Sequence, residues 1–156
     1  WNSGSSRDGT PVNPDFVALL RELTAAEARF LVVGAYALAY HARPRATGDL
    51  DVWVEPTPEN AARVHAALRA FGAPLGDLSV EDLIQPELVY QIGVPPRRID
   101  ILTSLTGLAF PEAWMTRVEG PFGETTCAFL GRGQLIRNKR ALGRPRDLAD
   151  LEALGE

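Results

Sequence analysis

With 156 residues, 46% of them apolar and 23% charged, the chain has the composition of an ordinary globular protein with enough apolar mass for one domain. No apolar run approaches the ~20 residues that span a bilayer and no basic-then-apolar leader is seen, so a cytoplasmic protein is expected. A net charge of −4 argues against a surface that grips nucleic acid all over, and a lone cysteine, Cys127, permits no internal disulfide.

The first residues, 1–12, are rich in Gly, Ser and Asn without periodicity and read as a disordered tail or a cloning remnant, leaving 13–156 as one domain. From Pro14 the spacing of Phe16, Leu19, Leu20 and Leu23 predicts a helix over about 14–26. Phe30 to Val33 is a short apolar run that reads as a buried strand ending at Gly34, with a helix from Ala35 to Ala42 behind it. A second strand is expected over Thr47 to Val54, broken by Pro56-Thr57-Pro58 before an amphipathic helix over about 58–71. Ser79 to Ile84 has some helical character. Leu88 to Val94 and Arg98 to Leu102 are strand-like and predict an antiparallel hairpin. Thr116 to Glu119 and Thr125 to Phe129 are candidate edge strands, and two helices, about 131–142 and 147–154, close the chain on either side of Gly143 and Pro145. The fold class is α+β, a small mixed sheet flanked by helices.

The chemistry concentrates on the second strand. Alternate side chains of a strand share a face, so Asp49 and Asp51 point one way while Leu50, Val52 and Val54 point the other. Two carboxylates so close repel unless a cation neutralises them, and a divalent metal would do so. Asp100, flanked by Ile99 and Ile101, occupies a strand interior where aspartate is disfavoured; it needs a partner, either a metal or an arginine such as Arg98 or Arg45. If the hairpin lies beside the second strand, all three acids converge.

Gly34 ends a strand and opens a helix, where free N–H groups and the helix dipole favour an anion. Arg45 and Thr47, just ahead of the acid pair, either hold phosphate oxygens or cap the strand. Lys139 falls on the apolar arc of its helix and therefore calls for an anion, one of the aspartates or a bound triphosphate, unless it snorkels to the surface. The basic run Arg132, Arg137, Lys139, Arg140, Arg144 and Arg146 is either a solvated face or a place for phosphates. Asp147 and Asp150, in the first turn of the last helix, read as structural, and His41 and His65 as surface or packing residues.

Val33-Gly34-Ala35 between strand and helix, then Arg45-Ala46-Thr47-Gly48-Asp49-Leu50-Asp51, and later Ile99-Asp100-Ile101-Leu102, together resemble the DNA polymerase beta-like nucleotidyltransferase superfamily. The likeness is to its small minimal nucleotidyltransferases related to antitoxins and abortive-infection proteins. It extends from about Asn13 to Leu154, with Leu135 to Leu151 similar to the closing helices of one branch. The resemblance implies a nucleotidyltransferase fold, with Mg²⁺ or Mn²⁺ held by Asp49, Asp51 and Asp100 as the catalytic carboxylates. Gly34, Ala35, Arg45, Thr47 and Lys139 would contact the nucleotide. It implies transfer of a nucleoside monophosphate, AMP foremost, to a hydroxyl of a protein or RNA with release of pyrophosphate. Many members carry Gly-Ser or Gly-Gly at the turn, whereas Gly34-Ala35 offers no hydroxyl. That difference and the small size leave a second reading open, an antitoxin-like module that binds a partner toxin without catalysis. The small size and the lack of an evident acceptor-binding domain also suggest that a partner or a second subunit, as in a homo-oligomer, completes the site.

Overall fold

The computed structural model describes residues 12–42 and 48–156. Their elements, in chain order, are α1 (Pro14–Ala25), β1 (Phe30–Val33), α2 (Gly34–His41), β2 (Leu50–Val54), α3 (Pro58–Phe71), a 3₁₀ turn (Asp82–Ile84), β3 (Val89–Ile92), β4 (Ile99–Leu102), α4 (Phe110–Met115), β5 (Val118–Phe122), β6 (Thr125–Phe129), α5 (Arg132–Leu142) and α6 (Pro145–Ala153). The six strands form one mixed sheet in the order β3-β4-β2-β1-β6-β5. β1 runs antiparallel to β2 and parallel to β6, β2 runs parallel to β4, and β3–β4 and β5–β6 are antiparallel hairpins.

Local chemistry accounts for the element ends. The Asn13 side chain accepts from the Asp15 N–H at 2.8 Å and Pro14 opens α1, so the first helix starts where its orphan donors find an acceptor. Thr57 caps α3, and Gly72, in the left-handed conformation at φ 94°, ends it with its N–H on the Leu68 and Arg69 carbonyls. Ser79 and Asp82 cap one another across the 3₁₀ turn, which is all that forms of the helix expected there.

The alternation read in β2 divides the core into two layers. Leu50, Val52 and Val54 pack with Phe16, Leu19, Leu20 and Leu23 of α1 and Val64 and Leu68 of α3 on one face. Trp53, on the opposite face with Asp51, packs with Leu31, Val33, Phe110, Leu135 and Leu151. Every one of these side chains is 8% exposed or less, and full burial of each leucine or phenylalanine favours folding by about 1.5–3 kcal/mol. Cys127 is buried as a small apolar group, and burial pushes its thiol up to about 12.

The β5–β6 hairpin differs from the sequence reading in extent and in place. β5 runs past Glu119 through Gly120 and Pro121, which a sequence reader takes for a break. The proline is tolerated because β5 is the sheet edge, where a missing N–H costs no ladder bond. The glycine is required by the Tyr40 ring, stacked on Phe129 with centroids 4.5 Å apart: a Cβ at Gly120 would meet Tyr40 Cε1 at 2.6 Å. β6, expected at an edge, lies inside the sheet between β1 and β5.

Candidate functional site

β2 and β4 pair in parallel with Asp51 directly opposite Asp100. Strand neighbours in register lie about 5 Å apart, so two carboxylates on the same face meet. Burial raises the Asp51 carboxyl to about 6, and the charges of Asp100 and Asp49, together with a hydrogen bond shared with Asp100, push the same way. Asp100 itself is buried. Asp49 precedes β2 and is tied to the start of β4: its Oδ1 accepts the Arg98 backbone N–H at 2.9 Å.

The same residue supplies the cation. Arg98 and Asp100 are two apart on one strand face, and Arg98 donates from Nε to Asp100 Oδ1 at 2.8 Å and from Nη2 to Oδ2 at 3.2 Å. Arg98 Nη2 also stands 3.5 Å from Asp49 Oδ2. One guanidinium thus bridges two of the three acids, while the third, Asp51, has its pKa lowered only slightly by it. The arginine partner foreseen for Asp100 is present; its second bond, to Asp49 across the strand junction, was not legible, because it needs the β2–β4 register.

The glycine turn adjoins this group. Gly34 adopts φ 64° at the first position of α2, and a Cβ there would run into the Asp51 carboxylate. Val33 pairs with Asp51 across β1 and β2, which brings the mouth of α2 to the acid. The N-cap residue of α2, Val33, has no polar side chain and makes no capping hydrogen bond to the first N–H groups of the helix.

Lys139 is placed elsewhere. Its ammonium, 11% exposed, pairs with Asp150 at 2.9 Å and Asp147 at 3.6 Å, so the anion its inward position calls for is supplied by α6. Asp147 is fully buried and held well below the usual carboxylate range, at about 2, chiefly by the Arg144 side chain. Asp147 and Asp150 are therefore structural, as read. Arg45 and Thr47 lie outside the described residues. His41 donates to the Leu130 carbonyl at 2.6 Å and His65 to that of Leu78 at 3.0 Å, both in packing roles. An open cavity of about 370 Å³ lies apart from the acids, at the start of α5, lined among others by Thr116, Arg132, Gln134 and Arg137.

Among the described residues no three His, Cys, Asp or Glu side chains are already arranged around a common metal position. The donor chemistry nonetheless suits one. Three carboxylates face one guanidinium, the set is all hard oxygen, and the Asp51 carboxyl is raised first by burial and then by its two acidic neighbours. Carboxylate oxygens are the donor type that Mg²⁺ and Mn²⁺ take, and Asp51 and Asp100 with Asp49 are the residues that would hold such an ion. No helix of the described residues is long and apolar enough to cross a membrane. No family model matches the chain, and no curated protein is similar to it.

Proposed function

We propose that the chain is a metal-dependent nucleotidyltransferase of the polymerase beta-like kind, moving a nucleoside monophosphate, AMP foremost, from a nucleoside triphosphate to a hydroxyl of a protein or RNA. One observation carries the reading: Asp51, in register with Asp100, lies against Gly34 at the start of α2. Carboxylates for a divalent cation and backbone donors for phosphate oxygens are thereby held side by side on rigid elements.

Bound at Asp49, Asp51 and Asp100, Mg²⁺ or Mn²⁺ would neutralise the triphosphate and make the acceptor hydroxyl more acidic. The N–H groups at the start of α2 hold phosphate oxygens, a task for which the backbone of Ala35 serves without a hydroxyl. The acceptor oxygen forms a bond to the α-phosphorus as the bond to pyrophosphate breaks, and pyrophosphate leaves with the electron pair. The hydroxyl proton passes to a carboxylate oxygen of the Asp51–Asp100 pair. Lys139, engaged with α6, takes no part.

The test is transfer of label from α-³²P nucleoside triphosphates, with Mn²⁺, to protein and RNA acceptors by wild type and Asp51→Asn. Label transfer that disappears in the variant supports the reading; undiminished transfer by Asp51→Asn refutes it. A second reading, the antitoxin-like module, is favoured by Arg98, which neutralises Asp49 and Asp100 without any metal. Formation of a stable complex with a partner toxin, unaffected by Asp51→Asn, would support that reading.

A further inference from the structure

Arg98 is the unexpected member of the site. Its guanidinium holds both oxygens of Asp100 and reaches Asp49, so the same carboxylate oxygens that would bind a divalent cation are engaged by hydrogen bonds. A bidentate guanidinium and a metal ion compete for the same lone pairs. The side chain is 28% exposed, and among the described residues only Asp49 and Asp100 hold its guanidinium, so it is able to swing toward solvent. Its backbone N–H on Asp49 is independent of the side chain and keeps that acid in place when the guanidinium leaves.

We propose that Arg98 is an internal counter-ion that a divalent cation must displace, and that, once displaced, its guanidinium turns to the phosphates arriving with the metal. This rests on the metal site proposed above. The device keeps three clustered acids tolerable in the metal-free protein and makes the cation bind weakly alone and tightly together with a triphosphate. The guanidinium released by the first ligand is a fork matched to the oxygens of the second.

Calorimetric titration of Mn²⁺ into the full chain at pH 7.5, alone and with tripolyphosphate, tests it. Four proteins are compared: wild type, Arg98→Gln, Arg98→Lys and Arg97→Gln. Arg97 is exposed and adjacent, so its loss removes the same charge without the ion pair. Arg98→Gln is expected to bind Mn²⁺ about tenfold more tightly than wild type. Arg98→Lys, which keeps the charge but loses the fork, falls in between, and Arg97→Gln stays within about twofold of wild type. Tripolyphosphate tightens Mn²⁺ binding to wild type by a larger factor than to Arg98→Gln. Unfolding curves establish that each variant is folded, and Arg98→Lys carries the comparison should the glutamine variant not fold. Equal affinities in wild type and Arg98→Gln, or equal shifts in Arg98→Gln and Arg97→Gln, overturn the role of Arg98 while leaving the metal site standing. Absence of Mn²⁺ binding to all four overturns both.

Discussion

Replacing Asp51 with asparagine is expected to stabilise the metal-free protein at neutral pH, although the residue is one of the three acids on which the proposed activity depends. The Asp51 carboxyl is raised from 3.8 to about 6, first by burial and then by Asp100 and Asp49. Below pH ~4 the group is protonated in both the native and the unfolded chain, and its contribution is fully favourable. Between the two values the unfolded chain gives up the proton while the native chain keeps it, so native stability falls as pH rises, by about 1.4 kcal/mol per pH unit. Above pH ~6 the loss is complete, at most about 3 kcal/mol and nearer 1 where solvent screens the half-buried group.

Asparagine has the same shape, carries no charge, and donates to Asp100 from its amide as protonated Asp51 does. The variant therefore escapes the loss. Urea unfolding of both proteins from pH 4 to 8, without divalent metal, should show equal stabilities at the acid end and a gap in favour of Asp51→Asn that opens between pH ~4 and ~6 and is constant above. In thermal scans at pH 7.5 the gap corresponds to a rise in Tm of a few degrees, up to about 10 °C. Mg²⁺ should close the gap by stabilising wild type alone. A difference between the proteins that does not change with pH, or a variant that weakens relative to wild type as pH rises, would refute the account of Asp51 as a carboxyl raised by burial and by its acidic neighbours.

Two further outcomes test neighbouring parts of the structure. Gly34→Ala combines a left-handed backbone with a collision against the Asp51 carboxylate and should destabilise by about 1–3 kcal/mol. The same change made in an Asp51→Ala background should cost less, and additive losses in that double-mutant cycle would deny the contact. Asp147, held at about 2 chiefly by Arg144, contributes stability that is present above pH ~4 and disappears as pH falls through about 2. Asp147→Asn should accordingly be less stable than wild type at pH 6, with the difference vanishing toward pH 2; a difference that persists at pH 2 would show packing rather than the ion pair to be responsible.

The strand-to-helix turn at Gly34, the shared face of Asp51 and Trp53 and the hairpin of β3 and β4 were all legible in the chain, because each depends on residues a few positions apart. Strand alternation puts Leu50, Val52 and Val54 on one side whatever the neighbours are, and glycine and proline mark the ends of α3, α5 and α6 through backbone geometry alone. The register of β2 against β4 depends instead on a parallel crossover some 45 residues long. Only that register sets Asp51 opposite Asp100 and lets Arg98 reach back to Asp49. Lys139 shows the same division. Its position on the inward arc of α5 requires an anion, which the helical repeat states without help. Which anion satisfies it was a choice among carboxylates distant in space until α6 packed against α5 and presented Asp147 and Asp150. Periodicity fixes the direction in which a side chain points; what it meets there is set by tertiary packing.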